Sequence, residues 1–232
     1  MTKKDIYGLA LSDFYYQQNP AKLWLHNTYG KPEDMPVDVF FRDKNEMPDL
    51  ELYALSECKG DVLDIGAGVG SHALILQKQN IPVTALEISP LACQIMEERG
   101  VKNILNMDVI DYSGKKFDTV LMLMNGIGLT RTIEGLKKFL TFAKSLIKPN
   151  GQLLFDSSDI SYLYSENENP QTKYYGEISY QYEYKGDKGD WFDWLYIDYP
   201  LLKKIANELG YKSRLLFEDD LDQYLVSLTL AN

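Results

Sequence analysis

The chain has 232 residues, of which 45% are hydrophobic and 25% charged, as in an ordinary globular protein with room for one sizeable α/β domain. Its net charge of −10 disfavours a nucleic-acid substrate, because proteins that bind the phosphate backbone usually carry a basic face. No apolar run approaches the roughly 18 residues of a membrane span, and Cys58 and Cys93 form no disulfide framework, so we expect a cytoplasmic protein without membrane contact.

Residues 1–55 carry aromatic pairs and proline-marked turns, which predict a helical cap with loops. A helix near 50–56 then leads into a regular alternation of strands and helices. The predicted strands are 62–65, 83–87, 103–107, 117–124 and 152–156, and the predicted helices are 72–79, 90–99 and 132–147. Such an alternation is typical of a doubly wound, mostly parallel α/β sheet with helices on both faces.

Two aromatic stretches, 174–184 and 191–197, follow the fifth strand of this alternation. The residues between them are mainly glycine and charged residues, a composition typical of a hairpin turn. We therefore predict an inserted β-hairpin at about 174–197, followed by a helix at 199–209 and strands at 211–218 and 224–230. The resulting division is a cap segment, residues 1–55, and one domain, residues 56–232, which carries the hairpin.

A glycine loop, Asp64-Ile65-Gly66-Ala67-Gly68-Val69-Gly70, joins the first of these strands to the next helix. Glycines let the backbone pass close to a ligand, and the N–H groups at the helix start point towards it. Dinucleotide-binding enzymes favour the spacing G-x-G-x-x-G/A, whereas here the third glycine comes one position early, at Gly70, and Ser71 follows it. Asp64 is placed to accept hydrogen bonds from a cationic group, and it would repel a pyrophosphate.

The motifs of this chain resemble those of the class I methyltransferases, the seven-stranded, Rossmann-like family that uses S-adenosylmethionine. Residues 62–70 are similar to the first motif of the family, which lies against the methionine part of the cofactor. Glu87 matches the acidic residue that binds both ribose hydroxyls, and Asp108 matches the position beside the adenine amine. Residues 117–125 and 146–153 resemble the fourth-strand motif and the turn before the fifth strand.

The resemblance covers residues 61–156 closely and implies S-adenosylmethionine as the cofactor. The candidate cofactor-binding residues are Asp64, Gly66, Ala67, Gly68, Gly70, Glu87, Ile88, Asp108, Val109, Met124 and Asn125. In-line methyl transfer from a sulfonium needs alignment and the exclusion of water more than it needs a protein base, because the cofactor already carries the activation. We therefore assign no catalytic residue.

The methyl acceptor is less directly encoded. Enzymes of this family that methylate nucleobase amines carry an Asn/Asp-Pro-Pro-aromatic run after the fourth strand, but here Asn125 is followed by Gly126-Ile127-Gly128. This departure and the acidic charge favour a small-molecule acceptor, with a protein side chain as the next substrate class. No metal is predicted, although Asp156 and Asp159 could serve either as loop caps or as metal ligands.

The aromatic hairpin is the best remaining indication of the acceptor. The hairpin carries six large aromatic residues, Tyr180, Tyr182, Tyr184, Trp191, Trp194 and Tyr196. In one interpretation they form a wall for a planar or cationic acceptor. In the other they pack the hairpin onto the sheet or onto the second subunit of a homodimer. Tyr182, Trp194 and Asn125 are our candidate acceptor contacts. Two other functions stay open, a non-catalytic S-adenosylmethionine-binding protein and a nicotinamide-dependent oxidoreductase, and the position of Gly70 disfavours the second.

Overall fold

The computed structural model describes residues 4–164 and 173–231. The α-helices within these ranges are α1 Ile6–Tyr15, α2 Asp49–Glu57, α3 Ser71–Lys78, α4 Pro90–Arg99, α5 Ile133–Ala143 and α6 Tyr199–Glu208. The strands are β1 Leu23–Asn27, β2 Glu33–Met35, β3 Val62–Ile65, β4 Val83–Glu87, β5 Ile104–Asn106, β6 Phe117–Met122, β7 Ile147–Ser158, β8 Glu177–Tyr184, β9 Asp187–Lys188, β10 Phe192–Leu195, β11 Tyr211–Glu218 and β12 Gln223–Leu230. No helix of the described residues is long and apolar enough to cross a membrane.

The main sheet has seven strands in the order β11-β12-β7-β6-β3-β4-β5, which confirms the predicted α/β architecture. The pairs β4–β5 and β6–β7 are parallel, whereas β12 runs antiparallel to both β7 and β11. The strand order reverses at β3, and ligands of open α/β sheets bind beyond the carboxyl ends of the strands at such a reversal. The glycine loop follows β3, so the fold places it where a ligand is expected.

A second sheet corrects the prediction of a helical cap with loops over residues 1–55. That segment does contain helix α1, but β1 and β2 also form within it, and the order of the second sheet is β10-β8-β1-β2 with β9 beside β8. Leu23 lies opposite Tyr184 and Leu25 lies opposite Tyr182, so the predicted hairpin is confirmed but does not stand alone. The sequence of β1 and β2 gives little indication of a strand, because β1 pairs with β8, which lies about 150 residues further along the chain. Such strands form through pairing with a distant partner rather than through local propensity.

The predicted ends of the fourth strand and of the helix that follows it both move. The fourth strand of the alternation, β6, ends at Met122 instead of residue 124, because Met124 (φ 64°) and Asn125 (φ 55°) leave the extended conformation. Helix α5 ends at Ala143 rather than 147, and β7 already begins at Ile147. A register shift in the pairing of β6 with β7 accommodates the turn around Asn150, which is also left-handed (φ 66°).

Contacts divide the chain into two compact units. The first unit comprises Met1–Met47, Asp64–Tyr112 and Ser179–Phe192, and in its core α1 packs on α4. Its buried cluster is Ile6, Ala10, Leu11, Leu23, Val37, Val69, Ala92, Ile95 and Tyr184. Since Val69 belongs to the glycine loop, that loop is part of this core. The predicted domain boundary at residues 55 and 56 stays a prediction.

The second unit comprises Pro48–Leu63, Ser113–Ile178 and Asp193–Asn232. Strands β6, β7, β12 and β11 lie side by side in it, and α5 and α6 bury an apolar face. Tyr211 is 1% exposed, and its hydroxyl donates to the carbonyl oxygen of Leu140 at 2.7 Å. The hydroxyl of this buried aromatic residue is thereby satisfied.

Candidate functional site

The glycine loop has a backbone that side chains would not tolerate. Gly66 (φ 71°), Gly68 (φ 55°) and Gly70 (φ 82°) are all left-handed, a conformation that glycine adopts without steric cost. The backbone N–H groups of Gly66 and Ala67 both donate to the carbonyl oxygen of Leu86 in β4, at 2.9 and 3.1 Å. A Cβ on Gly70 would lie 2.6 Å from Cγ2 of Val101. The loop is therefore held rigidly where β3 ends and α3 begins.

Asp64, a buried carboxylate in β3, lies at the start of this loop. Its side chain is 2% exposed, and its Oδ2 atom has no hydrogen-bond partner among the described residues. Burial raises the pKa of Asp64 to about 6, and the charge of His72 in α3 acts in the opposite direction. An unpaired buried carboxylate is costly, and a cationic hydrogen-bond donor of a ligand would compensate for that cost. This atom fits the cationic group that the sequence predicts for Asp64.

Glu87, at the end of β4, is 7% exposed and directly connected to the glycine loop. Gly68 N donates to its Oε2 at 3.0 Å, and Ser89 N donates to its Oε1 at 2.9 Å. Burial raises the pKa of Glu87, whereas these backbone hydrogen bonds lower it. Ile88 N is a third backbone donor to this carboxylate, whose two oxygens together have about four lone pairs, so acceptor capacity remains for a ligand hydroxyl. Two predicted cofactor residues, Gly68 and Glu87, are thus brought into contact.

The other candidates of the first unit vary in exposure. Ala67 is 9% exposed, Val109 is half-buried, and Ile88 is 65% exposed. Asp108 is exposed and accepts a hydrogen bond from Ile110 N at 3.2 Å, so its side chain caps the short 3-10 helix that follows. Their cofactor contacts stay predictions.

Sequence reasoning missed three polar residues that reach this site. Asp5 Oδ2 accepts a hydrogen bond from Ser89 Oγ at 2.6 Å, and the hydroxyl of Tyr7 lies over Gly68. The only local signal was Asp5 as a potential N-cap of α1, a role it fills by accepting from Gly8 N at 2.8 Å. Nothing in the sequence indicates that α1 packs beside the glycine loop.

In the second unit, Asp156 organises the loop of Met124 and Asn125. The Asp156 carboxylate is fully buried and accepts hydrogen bonds from Asn125 N at 2.8 Å, Gly126 N at 3.3 Å and Gln223 Nε2 at 2.9 Å. The structure therefore favours the loop-cap alternative for Asp156. The described residues contain no group of three or more His, Cys, Asp or Glu residues arranged to hold a metal ion.

Asp159 and Asn125 also have partners in this unit. Asp159 Oδ1 accepts from the Tyr175 hydroxyl at 2.7 Å, and Asn125 Oδ1 accepts from Ser158 Oγ at 2.9 Å. Both Met124 and Asn125 are half-buried, and their roles towards the cofactor and the acceptor stay predictions.

The aromatic hairpin residues divide into buried and accessible ones. Tyr180 and Tyr184 are 4% and 3% exposed, so these two pack in the core rather than line a wall. Tyr182 is half-buried, and its ring stacks on Tyr7 with 5.6 Å between centroids and an interplanar angle of 24°. Trp191 is 52% exposed. Tyr182 and Tyr184 both contact α1: Tyr182 stacks on Tyr7, and the Tyr184 hydroxyl donates to Asp13 Oδ2 at 2.9 Å.

Trp194 of the second unit lies against the backbone of Gly128. A Cβ on Gly128 would be 2.0 Å from Nε1 of Trp194, so the indole occupies the space that a side chain would need. Gly128 belongs to the short 3-10 helix Gly126–Thr130, which follows the loop of Asn125. Gly128, which takes the position of the aromatic residue in the run of the nucleobase enzymes, therefore leaves room for the indole of Trp194.

We expect Gly128→Ala to lower the free energy of unfolding by about 1–3 kcal/mol, because the added methyl group forces Trp194 to move. Urea denaturation followed by tryptophan fluorescence measures the change. Gly30→Ala is the matched control, since its Cβ would meet nothing closer than 3.8 Å, and it should change the value by less than about 0.5 kcal/mol. An unchanged urea midpoint for Gly128→Ala would show that Trp194 is not seated there.

The raised pKa values also predict how stability depends on pH. Burial raises the pKa of both Asp64 and Asp156 to about 6, so each binds its proton more tightly in the folded protein than in the unfolded chain. Their contribution to stability is therefore largest at low pH and is lost as the pH rises through about 6. From pH 5 to pH 7.5 we expect the free energy of unfolding to fall by about 1 kcal/mol per group.

Denaturant titrations at several pH values between 5 and 7.5 measure this slope. Asp64→Asn should make the slope shallower, because the asparagine amide has no proton to release in this range. A slope that is equally steep in the variant would show that Asp64 titrates normally.

Comparison with known proteins identifies the family. A family model described as a methyltransferase domain matches residues 40–211. One similar structure is the crystal structure of an S-adenosylmethionine-dependent methyltransferase from Bacteroides fragilis in complex with S-adenosyl-L-homocysteine. The two sequences are 40% identical, and the TM-score is 0.92. The match covers 99% of this chain and 96% of that one. The CcbJ methyltransferase from Streptomyces caelestis, at 15% identity over 81% of this chain and 94% of its own, shares the fold with a TM-score of 0.59.

Among curated proteins, the demethylmenaquinone methyltransferase of Tropheryma whipplei is 31% identical over 99 residues. The match spans 40% of this chain and 40% of the length of that relative. The long family match, together with the Bacteroides fragilis relative, decides the assignment and excludes the oxidoreductase alternative. The chain belongs to the methyltransferase-domain family of enzymes, whose cofactor is S-adenosylmethionine.

Proposed function

We propose that the chain transfers the methyl group of S-adenosylmethionine to a nucleophilic atom of a small-molecule acceptor, with the cofactor held at the glycine loop. One observation carries the placement of the cofactor: the buried Asp64 carboxylate has an oxygen without a partner among the described residues, directly before the glycine loop. S-adenosylmethionine carries an ammonium group on its methionine part, which is the kind of donor that this oxygen requires.

The residues of the first unit each have a defined task in this proposal. Asp64 accepts hydrogen bonds from the ammonium group, and the glycine loop lets the methionine part approach the backbone. Glu87 accepts hydrogen bonds from the ribose hydroxyls with the acceptor capacity that its backbone donors Gly68, Ser89 and Ile88 leave available. These contacts fix the orientation of the sulfonium, and the transfer itself draws on the chemistry of the cofactor.

A small-molecule acceptor is supported by charge and by sequence. The net charge of −10 opposes a nucleic-acid substrate. The curated relative that matches 40% of the chain is named for demethylmenaquinone, a small molecule. Tyr182 and Trp194, both half-buried, are the proposed acceptor contacts, together with Asn125.

Ligand-dependent melting tests the donor. S-adenosylhomocysteine should raise the melting temperature, since a ligand that binds only the folded state stabilises it, whereas NAD should not. A shift with NAD alone would overturn the proposal. Incubation with methyl-labelled S-adenosylmethionine and a metabolite extract, followed by identification of the labelled product, then tests turnover and the acceptor class together. Binding without any labelled product would favour the non-catalytic alternative.

The acceptor contacts are tested with the labelled product once it is known. We expect Tyr182→Phe and Trp194→Ala to raise the KM for the acceptor and to leave the affinity for S-adenosylhomocysteine unchanged. Trp191→Ala is the matched control, because this tryptophan is 52% exposed and is not a proposed contact. Unchanged kinetics for both variants would remove these residues from the acceptor site.

Localisation and assembly stay predictions. Cys58 and Cys93 are buried free thiols, as expected in the reducing cytoplasm. Size-exclusion chromatography of the purified chain tests the homodimer that the aromatic hairpin leaves open.

A further inference from the structure

The N-terminal helix α1 brings a tyrosine hydroxyl to the glycine loop. A Cβ built on Gly68 would lie 3.3 Å from the hydroxyl oxygen of Tyr7, which is its nearest neighbour. The Tyr7 ring is held on two sides, by the edge-on contact with Phe40 at 5.2 Å between centroids and by the stack on Tyr182 at 5.6 Å. The hydroxyl therefore has a fixed position over Gly68.

The position of α1 is coupled to Glu87 through a hydrogen-bonded chain. The Asp5 carboxylate caps α1 by accepting from Gly8 N at 2.8 Å, and it also accepts from Ser89 Oγ at 2.6 Å. Ser89 N in turn donates to Glu87 Oε1 at 2.9 Å. A Cβ on Gly8 would lie 2.3 Å from Asp5 Oδ2, so the contact needs a glycine there. We call Asp5, Ser89 and Glu87 the α1 tether.

The Tyr7 hydroxyl is available to a ligand. No described residue forms a hydrogen bond with it. Burial raises the pKa of Tyr7 well above its usual value, and the charge of Glu87 adds to this, so the hydroxyl stays protonated. A neutral phenol over the glycine loop is a hydrogen-bond donor for an anionic group, and the methionine part of S-adenosylmethionine ends in a carboxylate.

We propose that Tyr7 is a cofactor-binding residue whose hydroxyl donates a hydrogen bond to the methionine carboxylate, and that the α1 tether positions it. The proposal rests on the placement of the cofactor at the glycine loop given above. It assigns a binding task to the N-terminal segment, in which the sequence motifs place no cofactor residue. Asp5 and Ser89 act through Tyr7 and Glu87 and are positioning residues.

The test compares Tyr7→Phe with Tyr16→Phe by calorimetric titration of S-adenosylhomocysteine. Tyr16 follows α1, and its hydroxyl donates to Glu98 at 2.6 Å, so its substitution removes a phenol without touching the glycine loop. We expect Tyr7→Phe to weaken binding about tenfold or more, as for a hydrogen bond to a charged group, and Tyr16→Phe to bind as the wild type does.

A second ligand separates a contact with the methionine part from a structural effect. Methylthioadenosine retains adenine and ribose but has no carboxylate, so Tyr7→Phe should bind it as tightly as the wild type does. Equal losses for both ligands would indicate a general disturbance of the loop and would overturn the proposal. Wild-type affinity of Tyr7→Phe for S-adenosylhomocysteine would also overturn it while leaving the proposed function intact. Failure of the wild-type protein to bind either ligand would overturn both.

The tether is tested by a double-variant cycle. Asp5→Ala should weaken the binding of S-adenosylhomocysteine in the wild type and should have a smaller effect in the Tyr7→Phe background, because the two residues serve one contact. Additive losses would show that Asp5 does not act through Tyr7.

Discussion

Asp64→Asn is expected to weaken the binding of S-adenosylhomocysteine by about 10- to 100-fold, the value of a hydrogen bond to a charged group. Asparagine keeps the shape of the side chain but removes the buried negative charge that should attract the ammonium group. The folded protein should not suffer, because Oδ2 of Asp64 has no hydrogen-bond partner to lose among the described residues. Isothermal titration calorimetry at pH 7.5 measures the affinity, and thermal melting without ligand checks the fold.

Two comparisons make the result for Asp64 specific. Methylthioadenosine lacks the ammonium group, so its affinity should be the same in Asp64→Asn and the wild type. Asp61→Asn is the matched control, since Asp61 pairs with Lys115 and Lys148, each at 2.9 Å, and is not a proposed ligand contact. If Asp64→Asn bound S-adenosylhomocysteine normally, the ammonium contact would be excluded.

The wild type should also show a pH dependence of binding. Because burial raises the pKa of Asp64 to about 6, the carboxylate is largely protonated at pH 5 and largely charged at pH 7.5. The affinity for S-adenosylhomocysteine should therefore rise with pH across this range, and Asp64→Asn should flatten the rise.

Glu87→Ala should have the larger effect, a loss of about 100-fold or more in the affinity for S-adenosylhomocysteine, because both ribose hydroxyls lose a charged acceptor. The substitution also leaves Gly68 N and Ser89 N without their acceptor, so the glycine loop and the α1 tether lose a shared anchor. Unlike Asp64→Asn, Glu87→Ala should also weaken the binding of methylthioadenosine, since that ligand retains the ribose.

Titration calorimetry with both ligands distinguishes the two carboxylates. Glu97→Ala is the control for Glu87→Ala, because Glu97 is exposed on α4. If Glu87→Ala and the wild type bound methylthioadenosine with equal affinity, Glu87 would not contact the ribose. This conclusion would hold even if the affinity for S-adenosylhomocysteine fell.

The chain shows clearly what local sequence encodes. The predicted bounds of strands 62–65 and 83–87 and of helix 90–99 agree with the observed ones. Both strands are short, mainly apolar runs, and the helix lies between plain start and stop signals. Ser89 caps α4 by accepting from Ala92 N at 3.0 Å, Pro90 begins the helix, and Gly100 ends it in the left-handed conformation. These signals are local, so no tertiary contact was needed to recognise them.

The sequence by itself determined the α/β alternation, the glycine loop and the acidic residues of β3 and β4, since all depend on short-range spacing that the cofactor chemistry constrains. Only the tertiary structure decided that β1 and β2 join the hairpin in a second sheet, that Asp156 caps the loop of Asn125, and that Tyr7 reaches Gly68. The physical reason is that these contacts join residues far apart in the chain. Strand pairing, burial and the need to satisfy polar groups select such contacts, whereas local propensity does not determine them.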